Sequence, residues 1–92
     1  FLYWNSSTKG KSLAEAFKVA LKKHAPELTS RGNKALTNAD RGAEFCKLPA
    51  MPSIILEPFF GSSEADWEIA TTKKPQIADA YAEALTLWCE SI

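Results

Sequence analysis

The short apolar run from Ser53 to Leu56 constrains the fold more than any other segment of the sequence. Pro52 precedes this run, and the charged Glu57 follows it directly. A continuous apolar run of this length, with two adjacent isoleucines, is typical of a strand that is buried on both faces, as in parallel sheets. Because such a strand needs helices on both of its faces, the run favours a protein of the α/β class.

An amphipathic segment in the first third of the chain can supply one of those helices. Its apolar residues recur at the spacing of a single helical face, namely Leu13, Ala16, Phe17, Ala20 and Leu21. The polar side chains of residues 5–7 favour a turn or a helix N-cap, and Ser12 with Glu15 provides a capping box if the helix begins late. Pro26 disfavours helical geometry in the residue before it, so we expect the helix to end near His24 or Ala25.

The rest of the chain divides into a strand, a long loop and two further helices. The aromatic start, residues 1–4, is typical of a strand, and residues 27–52 have the broken pattern and the Gly and Pro content of a long loop. Ser63 can cap a short helix that has Asp66 at its third position. The last helix begins near Pro75, and its apolar stripe consists of Ile77, Tyr81, Ala84, Leu85 and Trp88.

This order of elements predicts an α/β fold that is part of a mostly parallel twisted sheet flanked by helices. Two strands leave unpaired edges, so we expect further strands upstream of Phe1 and treat residues 1–92 as the C-terminal part of one domain. The two cysteines, Cys46 and Cys89, lack the spacing of a disulfide framework or a zinc site, and we expect both to be packing residues.

Charge and hydropathy exclude several classes of partner. The formal net charge is zero, which gives no support for a nucleic-acid partner, and no apolar run approaches the roughly 20 residues that span a bilayer. Residues 1–47 contain nine Lys or Arg and four Asp or Glu, whereas residues 48–92 contain two and seven. We interpret this asymmetry as solvated helix faces. The sequence does not predict an oligomeric state.

Glu57 is the first candidate for catalysis. A carboxylate directly after a buried strand stands where open α/β sheets place their ligands, at the C-terminal ends of strands. Partial burial would favour its neutral form and suit it to general acid or base catalysis. The alternative is a strand-end glutamate that reaches solvent or pairs with an arginine. Position alone leaves both interpretations open.

Four segments of the sequence resemble the zinc-dependent N-acetylmuramoyl-L-alanine amidases, which are lytic enzymes of bacterial and phage origin. The most specific is "SIILEPFFGSSEADW" at residues 53–67. The strand and helix start "LYWNSSTKGKSLAEAF" at residues 2–17, the pair Arg31-Gly32, and the Ala-rich "QIADAYAEAL" at residues 76–85 are also similar to that family. The resemblance covers nearly the whole chain.

The resemblance implies a peptidoglycan hydrolase that cleaves the amide between N-acetylmuramic acid and the L-alanine of the stem peptide. It implies that Glu57 is the catalytic carboxylate, that Arg31 contacts the muropeptide, and that zinc is required. The family's zinc ligands, a His, a Glu and a second His, precede the "LYW" strand, so we expect no metal ligand in this sequence. The substrate implies action at the cell envelope, outside the cell, or during phage lysis.

Several alternatives stay open at this stage. The chain can instead be a non-catalytic α/β binding or interaction module of the cell envelope. A hydrolase with a Ser or Cys nucleophile has little support, because the sequence has no nucleophile elbow. His24 is expected to be a helix-end or surface residue. The three tryptophans, Trp4, Trp67 and Trp88, are expected to pack in the core rather than bind sugars.

Overall fold

The computed structural model describes residues 1–28, 32–47, 51–57 and 64–91. These residues form β1 Leu2–Trp4, α1 Thr8–His24, β2 Lys34–Leu36, α2 Ala43–Lys47, β3 Ile54–Ile55, α3 Glu64–Thr72 and α4 Lys74–Ser91. The structure is 62% helix and 10% strand, with a small mixed sheet. The prediction of a mostly parallel twisted sheet flanked by helices is therefore wrong.

The sheet has the strand order β2-β1-β3. β2 runs parallel to β1, with Leu2 opposite Lys34, and the connection between them is α1. β3 runs antiparallel to β1, with Leu2 opposite Ile55. Ile54 packs against the core under α1, and Ile55 packs against a cluster on the other face. The apolar run predicted a strand over residues 53–56 buried on both faces, whereas β3 is only Ile54–Ile55, both isoleucines are half-buried and Leu56 is 44% exposed. The run also carries no information about the direction in which its strand pairs.

α1 begins earlier than the capping box at Ser12 and Glu15 would place it. Ser7 is the N-cap, and its Oγ accepts a hydrogen bond from the backbone N–H of Gly10 at 2.8 Å. A Cβ at position 10 would lie only 2.8 Å from that oxygen, so the missing side chain of Gly10 leaves room for the cap. The helix ends at His24, as predicted.

The main core lies between α1, α4 and one face of the sheet. Phe17 packs edge-on against Phe1 at 5.8 Å between ring centroids, and its ring lies 5.2 Å from that of Tyr81. Ala80 and Ala84 are 0% and 1% exposed, which allows α4 to approach α1 closely. The predicted stripe of α4 is correct except at Leu85, which is 49% exposed because it lies one residue beyond the buried Ala84.

A smaller cluster covers the opposite face of the sheet. Leu36, Ala43 and Cys46 are buried there, and Leu2, Trp4 and Ile55 pack against them. The sequence predicted a long loop across residues 27–52, whereas β2 and α2 lie within it. Strands of three residues and helices of five are too short for periodicity to reveal them.

One tryptophan and one cysteine also differ from their predicted roles as packing residues. Trp4 and Trp88 pack against the cores as predicted, but Trp67 is 55% exposed. Cys46 is buried as a packing residue, whereas Cys89 is exposed, and both are free thiols. Asp66 is the third residue of α3 as predicted, and the predicted cap, Ser63, lies outside the described residues.

Gly42 offers a direct test of the contact between the turn before α2 and β3. Its φ is +84°, and a Cβ there would meet Cδ1 of Ile55 at 2.6 Å. We expect Gly42→Ala to destabilise the chain by about 1–3 kcal/mol, because it combines left-handed backbone strain with overpacking. Gly32 is the matched control, since its φ is +76° but nothing lies within 4 Å of the added atom. Urea unfolding should show a clearly smaller loss of stability for Gly32→Ala. Equal losses for the two variants would mean that the contact with Ile55 contributes nothing.

Candidate functional site

Glu57 lies at the end of the sheet where β1 begins. Because β3 is antiparallel to β1 and Ile55 pairs with Leu2, the chain after β3 leaves the sheet beside Phe1. Phe1 and Glu57 also contribute to the lining of one groove. The carboxyl ends of β1 and β2 lie at the other end of the sheet. The predicted placement of Glu57 among carboxyl strand ends is therefore wrong.

The environment of Glu57 also differs from the prediction. Its side chain is exposed, so the partial burial expected from the sequence is not observed. The general acid or base interpretation consequently loses one of its supports, the desolvation of the carboxylate. What the position does provide is access, because water and a ligand can both reach an exposed carboxylate.

Glu57 contributes to the lining of a large open groove of about 1250 Å³. The groove is bounded by the middle and end of α1, by residues 32–36, and by the turn at residues 39–42. Apolar side chains form part of its floor, including Leu21 and Ile55. A groove of this size exceeds what a single small ion needs and is suited to a larger ligand.

Basic side chains outnumber acidic ones around the groove. The charged residues in its lining are Lys18, Lys22, Lys34, Arg41, Asp40 and Glu57. Lys34 Nζ lies 3.1 Å from Asp40 Oδ1, and Lys18 Nζ lies 3.5 Å from Glu15 Oε2. In the described part of the chain, Lys22 and Arg41 form no ion pair. The groove therefore presents two cations that are available to a ligand.

Asp40 holds the turn that forms one side of the groove. The backbone N–H of Thr37 donates to Asp40 Oδ2 at 2.8 Å, and the Thr37 hydroxyl donates to the same oxygen at 3.0 Å. The pKa of Asp40 is lowered first by the backbone hydrogen bond from Thr37, then by Lys34 and the Thr37 hydroxyl. Asp40 is thus a structural carboxylate, and its charge is satisfied within the turn.

His24 is the only histidine, and it is a helix-end residue as predicted. Its Nε2 lies 2.9 Å from Glu83 Oε2, and Lys23 Nζ lies 2.6 Å from Glu83 Oε1. The hydrogen bond from Lys23 and that of His24 lower the pKa of Glu83. Across the described ranges, no three His, Cys, Asp or Glu side chains are grouped as metal ligands would be. These residues do not fit a zinc site.

Arg31, the predicted substrate contact, lies outside the described residues, as do Phe59 and Phe60 after Glu57. The basic residues of the groove were in the sequence but were interpreted as a solvated face. Lys18 and Lys22 are four residues apart and so share one face of α1, which was the available signal. Their relation to Arg41 depends on the position of α2, which the sequence did not predict.

No protein-family model, curated protein or solved structure matches the chain. Among the helices in the described ranges, none has the length and apolarity needed to cross a bilayer.

Proposed function

We propose that this chain is part of a zinc-dependent N-acetylmuramoyl-L-alanine amidase, a peptidoglycan hydrolase, in which Glu57 transfers the proton. The observation that carries the proposal is the position of Glu57. It is an exposed carboxylate in the lining of a large groove, and it begins the "EPFFGS" segment on which the resemblance is most specific.

The proposed reaction requires one group that can accept and return a proton. Water attacks the carbonyl carbon of the lactyl amide, and the Glu57 carboxylate takes the proton that this water loses. The C–N bond then breaks, and Glu57 returns the proton to the leaving amine of L-alanine. The products are a free lactyl carboxylate and a free peptide amine, and Glu57 is regenerated as a carboxylate.

Zinc belongs to this proposal as a group held by other parts of the protein. His24 is already paired with Glu83, and the described residues offer no second histidine. The resemblance places the ligands N-terminal to β1. We therefore expect the 92-residue chain alone to bind zinc weakly and to leave peptidoglycan intact. Action at the envelope or during phage lysis follows from the proposed substrate.

Arg31 is proposed to contact the muropeptide. This assignment rests on the resemblance of Arg31-Gly32 to the family's loop. The described residues Leu28 and Gly32 line the groove.

The test is to purify the protein encoded by the complete reading frame, measure its bound zinc, and incubate it with purified murein. Mass spectrometry of the products should show peptides with a free N-terminal L-alanine and glycan with intact lactyl groups. The 92-residue chain serves as the control and should release nothing. A zinc-loaded protein that cleaves a different bond, or no bond, would contradict the proposal.

A non-catalytic binding or interaction module of the cell envelope is the second candidate. The exposure of Glu57 favours it, because a strand-end carboxylate in contact with solvent needs no catalytic role. The two candidates differ in the sequence that precedes Phe1. The amidase requires a His, a Glu and a second His there, and the binding module does not.

A further inference from the structure

The outer edge of β2 lies along the groove. β2 pairs with β1 on one side, and no described strand pairs with its other side. Residues 32–36, which contain β2, all contribute to the groove lining. An unpaired strand edge presents a row of N–H and C=O groups that can pair with another extended chain.

Ala35 carries the outward-facing backbone groups of this edge. The N–H of Lys34 donates to the carbonyl of Phe1 at 2.9 Å, and the carbonyl of Leu36 accepts from the N–H of Asn5 at 3.1 Å. Both neighbours therefore direct their peptide groups toward β1. In a parallel ladder the residue between them points its N–H and C=O away from β1. Ala35 is exposed and has a small side chain, so a second strand can approach it.

Four basic side chains share the groove lining with this edge. Lys22 and Arg41 have no ion-pair partner in the described ranges, and both line the same groove as Ala35. Asp40 is the acidic residue closest to β2 in the sequence. It already accepts a hydrogen bond from Thr37 and forms an ion pair with Lys34. A strand that pairs with β2 would therefore meet an excess of positive charge, and carboxylates on that strand would complement it.

The rest of the lining favours a peptide over other polyanions. Leu21, Ala25 and Ile55 give the groove an apolar floor, which suits the aliphatic side chains that alternate with charges along an extended peptide. Single-stranded nucleic acids bind on exposed aromatic rings, and the aromatic residue of this lining, Phe1, is only 7% exposed.

We propose that the open edge of β2 binds an extended acidic polypeptide segment of a partner protein by strand addition, with its carboxylates at Lys22 and Arg41. Main-chain hydrogen bonds to Ala35 provide affinity, and the cations select the sequence. This interaction does not depend on hydrolysis at Glu57.

The test uses the protein encoded by the complete reading frame and a short fluorescent peptide in which glutamate alternates with valine, with binding followed by anisotropy. The matched probe replaces each glutamate with glutamine. We expect the acidic peptide to bind about tenfold more tightly than the neutral one, and added salt to reduce this difference. Equal binding of the two peptides, or no binding, would overturn the proposal.

Two pairs of variants separate the charges from the strand edge. Lys22→Glu with Arg41→Glu should weaken binding of the acidic peptide about tenfold, whereas the same charge change at the exposed Lys9 and Lys11, outside the groove, should have little effect. Ala35→Pro removes the outward N–H at a position where edge strands tolerate proline, and Ala35→Val retains it. Full binding by Ala35→Pro, or equally tight binding of a single-stranded oligonucleotide, would contradict strand addition.

Discussion

Glu57→Gln in the complete, zinc-loaded protein is expected to lower kcat for peptide release from murein by about 10²- to 10⁴-fold. Glutamine has nearly the same size as glutamate and can occupy the same exposed position after β3. Its amide cannot take the proton from water or return it to the leaving amine. Since the side chain lies at the groove surface and packs against no core cluster, stability and KM should change much less than kcat.

Glu44→Gln is the control for this substitution. Glu44 is an exposed glutamate of α2 that does not line the groove, so its replacement changes the net charge by the same amount without touching the site. Thermal unfolding and bound zinc are measured for both variants. If Glu57→Gln retains the turnover of the Glu44→Gln control, Glu57 has been misassigned as the group that transfers the proton.

The local structure of the long helices α1 and α4 could be predicted from the sequence, because the information for each is contained within a few turns. The face of α1 with Leu13, Phe17 and Leu21 is buried, and the helix ends at His24 before Pro26. The sequence did not determine where α1 begins, since Ser7 and Ser12 can both act as an N-cap. Only the contact between Ser7 Oγ and Gly10 distinguishes them.

The sheet could not be predicted to the same extent. Ile54 and Ile55 each contact one of the two clusters and are only half-buried, and the pairing direction of β3 is set by where the preceding loop returns the chain. That loop contains β2 and α2, each too short to produce a periodic pattern. The wrong pairing direction also made the predicted position of Glu57 wrong, because the antiparallel pairing of β3 places Glu57 beside the start of β1.

Phe17→Ala is expected to cause the largest loss of stability, about 3–5 kcal/mol. Phe17 is 4% exposed, and its ring contacts those of Phe1 and Tyr81 between α1 and α4. Truncation leaves a cavity that Ala80 and Ala84 are too small to fill. Domains of this size are stable by only about 5–15 kcal/mol, so the loss would amount to at least about a fifth of the total. Val19→Ala, measured by urea unfolding as well, is the control. Val19 is 58% exposed on the same helix, so its truncation should lower the free energy of unfolding only slightly.

Tyr81 provides a second readout of the same cluster. Burial raises its pKa to about 12, and its hydroxyl has no hydrogen-bond partner among the residues that the structure describes. If Phe17→Ala opens the cluster to water, the tyrosinate is better solvated, and the pKa of Tyr81 should move back toward 10.0, the value of an exposed tyrosine. Absorbance titration in a Tyr3→Phe background isolates this residue, because Tyr3 is the other tyrosine. A large stability loss without a change in the Tyr81 titration would mean that the cavity stays dry and that the cost is lost packing alone.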